Sequence, residues 1–176
     1  LSGVDKNLND VTREFDRLKP ISRDVDVIRS QQNEFKGFVN NHVEPLSRKI
    51  DDLKRKANGL IQSAAPGVDT SKVEHDVDQI NNKWNDLKNK VNERGRKLDV
   101  AMMQAGRFKD ALDAFEKWLK ETEDMMAHQK PPSSDYKELK AQIQEQHFIK
   151  KMLADREGSL NSLMDMGKDF MKSLDT

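Results

Sequence analysis

The chain contains no cysteine, so it can form neither a disulfide framework nor a thiolate metal site. It has no apolar run approaching 18 residues, which leaves no candidate for a membrane-spanning helix. No signal-peptide pattern and no Asn-x-Ser/Thr triplet occurs, so a cytoplasmic location is the expectation. Leu1 is not an initiator residue, so the sequence reads as a fragment and targeting signals could lie outside it. Charge of one sign is also missing. Lys plus Arg and Asp plus Glu each number 31, which argues against nucleic acid as the main partner, since neutralising phosphates needs a basic face. Apolar residues make up only 35% of the chain, matched by 35% charged. A round globule needs a larger apolar share. A thin helical bundle does not, because each helix buries one stripe and solvates the rest.

Helix breakers are scarce and clustered. Pro20 lies in Lys19-Pro20-Ile21-Ser22-Arg23-Asp24, Pro66 and Gly67 in a stretch running to Ser71, and Pro131 and Pro132 just before Ser133 and Asp135. Each cluster couples proline to a residue that starts helices. Ser71 with Glu74 and Asp135 with Glu138 have capping-box spacing. Four helices are therefore predicted, at about 1–18, 23–64, 71–128 and 134–174.

The third is the informative one. Alternating steps of four and three from Val73 reach Val77, Ile80, Trp84, Leu87, Val91, Leu98, Ala101, Ala105, Phe108, Leu112, Phe115, Leu119 and Met126. Only Arg94 and Thr122 interrupt the seam. Held this long, a 3.5-residue period predicts left-handed supercoiling in a helix of roughly 80 Å, running from one bundle into the next. The second segment carries Val25, Ile28, Phe35, Val39, Leu46, Ile50, Leu53, Ala57 and Leu60, with Gln32 and His42 in the same stripe. Pro45 falls inside it and should bend it.

The Lys-Pro-x-Ser-x-Asp stretches at 19–24 and 130–135 stand 111 residues apart. The same offset pairs Leu1 with Leu112, Val4 with Phe115, Leu8 with Leu119, Phe15 with Met126, Val25 with Tyr136 and Ile28 with Leu139. The implied unit is three helices in tandem repetition.

Ile80-Asn81-Asn82-Lys83-Trp84-Asn85-Asp86-Leu87 and Ala111-Leu112-Asp113-Ala114-Phe115-Glu116-Lys117-Trp118-Leu119 resemble the tryptophan signatures of the spectrin repeat family. Within that family, Gln129-Lys130-Pro131-Pro132-Ser133, Lys140 to Gln146 and Met152 to Arg156 resemble the spectraplakins. The pattern departs at Asn7, where the offset from Trp118 would place Trp. The resemblance implies an all-α fold of tandem spectrin-type three-helix left-handed coiled-coil bundles joined by a continuous helix. Residues 1–102 would be a repeat with a truncated first helix, and 103–176 the first two helices of a second. It further implies a cytoplasmic, cytoskeletal rod segment between actin- and microtubule-binding ends, neither of which is in this sequence. The alternative is a docking module for a cytoskeletal, junctional or nuclear-envelope partner.

Trp84, Leu87, Phe115, Trp118 and Leu119 are the expected core. Lys54, Arg55 and Lys56, with Arg94, Arg96 and Lys97, are the candidate basic docking patches, weighed against an ordinary solvated surface with Arg94 snorkelling from the seam. No His-Glu-x-x-His motif occurs, and His42, His75, His128 and His147 are widely spaced. The many carboxylates read as solvated faces, and Gly167-Lys168 lacks the spacing of a phosphate loop. The eight methionines, concentrated in the second half, read mostly as core filler. Neither an enzyme nor a cofactor is expected. Partners are expected to be proteins, with self-association through the incomplete second repeat.

Overall fold

The structure is a computed structural model that describes residues 2–174. Leu1, and with it the pairing to Leu112, lies outside the described residues. The helices are α1 (Ser2–Asp16), α2 (Val25–Phe38), a π-helical turn (Val39–Val43), α3 (Glu44–Ser63), α4 (Ser71–Ala127) and α5 (Tyr136–Leu174). The chain divides into two units, residues 1–100 and 101–176. Helix α4 crosses that boundary without a break over its 57 residues.

In the first unit three helices run up, down and up. Glu14 of α1 meets His42 at 3.1 Å, so α1 and the α2–α3 segment are antiparallel. Lys83 and Lys90 of α4 reach Asp5 and Asp16 of α1, at 2.7 and 3.8 Å, so α4 returns parallel to α1. Leu8, Val11, Val43, Leu46, Ile50, Ile80, Trp84, Leu87 and Val91 interlock between them as one core. The second unit is an antiparallel pair. Ser173 donates to Gln104 at 2.7 Å, Arg156 lies over the Trp118 ring at 4.9 Å, and Gln146 donates to Gln129 at 2.8 Å.

The two proline turns repeat bond for bond. In the first, Asp24 Oδ1 accepts from the Asp26 and Val27 amides at 2.9 and 3.0 Å, capping α2. Ser22 Oγ accepts from the Asp24 amide, and Gln31 accepts from Ser22 N–H while donating to the Pro20 carbonyl. Shifted by 111 residues, Asp135, Ser133, Gln142 and Pro131 make the same set. A helix start leaves four orphan donors, and this sequence pattern supplies side-chain acceptors for two of them at each turn. Of the two predicted capping boxes, half of the second forms, the Asp135 carboxylate accepting from the Glu138 amide at 3.0 Å, while the glutamates find other partners. Thr70, one residue earlier than Ser71, donates to Glu74 at 2.7 Å, and Ser133 rather than the Asp135 amide engages Glu138. At the α3–α4 connection Pro66 and Gly67 form a turn closed by Val68 N–H to the Ala65 carbonyl, with Gly67 at φ +93°, a conformation that favours glycine.

At Pro45 the regular helix is interrupted: a π-helical turn precedes it, in which Glu44 N–H reaches back five residues to the Val39 carbonyl. Proline cannot donate, and its ring clashes with the carbonyl four residues earlier, so widening this turn relieves both. The extra residue shifts the phase at this turn, while Ile28, Phe35 and Val39 upstream keep their predicted places in the stripe. His42, expected in the buried stripe, is displaced outward onto Glu14 and stacks on Phe38 at 5.5 Å. Val43 takes the core position instead. Leu60, the last residue of the predicted stripe, is exposed.

Two helical glycines make opposite predictions. A Cβ on Gly95 would meet Phe35 at 3.5 Å, an ordinary contact, whereas one on Gly167 would sit 3.0 Å from the Phe108 ring. Gly95→Ala should therefore stabilise its unit by about 0.5–1 kcal/mol through helix propensity. Gly167→Ala should cost its unit about 1 kcal/mol net, since overpacking outweighs the same propensity gain. Thermal melts of the two variants should move in opposite directions.

Candidate functional site

Trp84 and Leu87 lie in the first-unit core, Trp84 at 4% exposure. In the second unit Phe115 and Trp118 are half-buried with ring centroids 5.6 Å apart, and Arg156 covers the indole. Leu119, expected in the core, is instead 41% exposed. The physical reason is visible in its counterpart, Leu8, which is fully buried. Leu8 is enclosed by three helices and Leu119 is packed by two. Met126 and Tyr136 are likewise exposed, where their counterparts Phe15 and Val25 are half-buried. Thr122 interrupts the seam without cost, because its buried hydroxyl donates to the Trp118 carbonyl at 2.8 Å.

The basic clusters do not behave alike. Lys54 is half-buried, while Arg55 and Lys56 are exposed on α3, with Arg55 paired to Asp52. Arg96 is exposed, and Lys97 pairs with Glu93 at 3.2 Å. Arg94, half-buried at its seam position, differs from the others in having a main-chain partner. Its Nη2 donates to the Lys19 carbonyl at 2.6 Å, and its guanidinium lies 6.0 Å from the Phe35 ring centroid. Burial lowers its pKa from the ordinary guanidinium value, yet arginine stays charged at neutral pH. It is a clasp that ties α4 to the α1–α2 turn. A charged residue at a seam position was the sequence signal for it; the acceptor, a backbone carbonyl, has no sequence signature.

Beside this clasp lies a cavity of about 300 Å³. The matching α4–α5 turn of the second unit bounds a larger one of about 740 Å³, lined by Glu121, Asp124, Lys130, Glu138, Gln142 and Glu145 among others. Among the described residues no group of His, Asp or Glu could hold a metal ion. Among the described residues no helix is long and apolar enough to cross a membrane.

Interlocked helices in an up-down-up unit, a second unit built on the same turn, and a helix shared between them define a helical repeat protein. The chain belongs to the spectrin repeat family: the family model for the spectrin repeats of nesprin-1 matches residues 19–161. It is 37% identical over 166 residues, 92% of this chain, to microtubule-actin cross-linking factor 1, isoforms 1/2/3/4/5, of Homo sapiens. Over 147 residues, 84% of the chain, it is 41% identical to the Mus musculus and Rattus norvegicus proteins of that name. The chain spans only 2–3% of the length of these relatives. No solved structure gives a significant match.

Proposed function

We propose that the chain is a structural spacer, a rod segment of a cytoplasmic cytoskeletal cross-linking protein. It would set a distance and transmit force between actin- and microtubule-binding ends. On this reading residues 1–102 are one repeat, and 103–176 supply the first two helices of the next. The mechanism is mechanical and needs no catalytic group. The observation that carries it is the unbroken α4, whose backbone hydrogen bonds run across the boundary between units. A continuous helix resists bending, and tension or unfolding in one unit is passed to the next through it. The names of the relatives, which join microtubule and actin, support the choice of setting.

Gln104→Pro tests this. Proline there removes one amide donor and clashes with the Val100 carbonyl, costing about 3 kcal/mol. Gln104→Ala is the control, since it loses only the Ser173 hydrogen bond. The parent and the alanine variant should unfold in one calorimetric transition, and the proline variant in two. Two transitions in the parent would sink the spacer reading, because its units would already be uncoupled.

A second reading, a docking module, is favoured by one observation: the exposed apolar residues of the second unit at positions that are covered in the first.

A further inference from the structure

The α1–α2 turn of the three-helix first unit bounds the cavity of about 300 Å³. Three cations line it, Arg17 and Lys19 from the turn and Arg94 from α4, against one carboxylate, Glu34. Arg94 gives one donor to the Lys19 carbonyl, while its Nε is buried with no partner. Among the described residues no carboxylate pairs with any of the three cations. Ser30 stands exposed on the α2 wall, and its hydroxyl donates to Glu34 Oε1 at 3.3 Å, long for a hydroxyl donor. The turn itself does not require this set. Each residue of the lining apart from Arg94 has its counterpart 111 positions on, in the cavity at the α4–α5 turn. There Ala141 stands for Ser30, His128 for Arg17 and Glu138 for Val27, so the hydroxyl is gone and the lining is acidic. The turn's own hydrogen bonds are nonetheless the same in both. Neither the hydroxyl nor Arg17 is needed to build it.

We propose that Ser30 is a phosphorylation site and that the cation-lined cavity at the α1–α2 turn receives its phosphate. A protein kinase supplies the group from ATP. Ser30 Oγ bonds to the γ-phosphorus, the bond from that phosphorus to the bridging oxygen breaks, ADP leaves, and the hydroxyl proton passes to a base of the kinase. Ser30 is exposed on a helix of 14 residues, and local opening of its first turns presents the residue as an extended substrate. When the helix closes again, the phosphate brings about −1.5 to −2 charges and three acceptor oxygens to Arg17, Lys19 and Arg94. Glu34 opposes it, but one carboxylate is outweighed by three cations. Arg17 and Lys19 are at the surface, so a free anion would be held weakly; the covalent tether at Ser30 supplies the effective concentration that a free anion lacks. The phosphate ties α2 to the turn and to α4, adding to the Arg94 clasp and stiffening the first unit.

The test encodes phosphoserine at position 30 of the full chain and titrates its phosphorus NMR signal beside that of a phosphopeptide of residues 25–36. The second phosphate pKa is about 6 in exposed phosphoserine. In the folded chain it should lie about 0.5–1 pH unit below the peptide's value, the solvent-screened end of what neighbouring cations do. Arg17→Gln with Lys19→Gln should remove most of that difference, and Arg17→Gln alone part of it. Both leave the main-chain acceptor of Arg94 in place, and circular dichroism checks that they are folded. Because folding lowers this pKa, the stabilisation is present at about pH 7 and lost as pH falls through the folded value. The urea midpoint of the phosphorylated chain should therefore exceed that of the unmodified chain at about pH 7 and converge on it near about pH 5. A pKa equal to or above the peptide's, or a difference that the double variant leaves intact, would overturn the cationic seat. So would a midpoint lowered by phosphorylation at about pH 7, since repulsion by Glu34 would then prevail. The modification itself is read by mass spectrometry of the protein from cells treated with a phosphatase inhibitor. Phosphate on the peptide of residues 30–36 is expected, and recovery of that peptide in the unmodified form alone would overturn the site.

Discussion

Trp84→Ala should unfold the first unit at a far lower denaturant concentration than the parent, at a cost of about 3–5 kcal/mol. The indole is 4% exposed and sits amid Leu8 and Val11 of α1, Leu46 and Ile50 of α3, and Ile80, Leu87 and Val91 on its own helix. It therefore belongs to a core to which all three layers of the bundle contribute. Truncation would open a cavity that side chains fixed on helices cannot close by small shifts. Lys88, whose ammonium lies 5.7 Å from the ring centroid, would lose a minor contact of the kind worth about 0.5–1 kcal/mol at an exposed site. Set against a total stability of about 5–15 kcal/mol for a small domain, the loss is a large share. The check is a urea titration followed at two probes. The chain has two tryptophans, so Trp118 emission in this variant reports the second unit alone, while circular dichroism reports both. A midpoint within a few tenths molar of the parent on both probes would show that Trp84 is not an anchor.

Much of this arrangement was legible in the sequence, for a physical reason. A helix that buries one stripe repeats its apolar residues every three to four positions, and a seam kept in phase from Val73 to Met126 leaves nowhere for α4 to break. The two turns were readable because capping is local chemistry, set by Pro, Ser, Asp and Gln at fixed spacing. What failed depended on partners. Thr70, not Ser71, engages Glu74, because the two hydroxyls are adjacent and backbone placement decides between them. The Ser71 hydroxyl and amide instead turn to Asp69, holding its carboxylate below the usual range. Leu119 has the sequence of a core residue and the burial of a surface one, since a stripe says what a helix can bury and not what covers it. Arg94 looked like a defect in the seam because its acceptor is a main-chain carbonyl in the α1–α2 turn.

The π-helical turn is the feature least visible in the sequence, and a paired substitution tests it. Pro45 forces one residue too many into the turn before it, so the buried stripe steps from Val39 to Val43 rather than to His42. Val43 is 8% exposed and belongs to the first-unit core, whereas the His42 side chain is 44% exposed. A regular helix with the heptad phase would reverse these two positions. Val43→Asp should cost roughly 3–5 kcal/mol, because it puts a carboxylate into the apolar core that holds Leu8, Leu46 and Ile50. That carboxylate would take up a proton rather than remain charged, so its pKa should rise. The sign of the pH dependence follows. For this group the folded-state pKa lies above the unfolded one, so the charged form is what opposes folding, and the penalty should shrink as pH falls below the raised value. His42→Gln removes only a half-exposed pairing with Glu14, so it should cost less than about 1 kcal/mol. Urea midpoints at pH 7 and pH 5 for both variants read out the register. Equal and small losses at the two positions would place Val43 at the surface, and a larger loss for His42→Gln would restore the uninterrupted helix that the heptad count predicts.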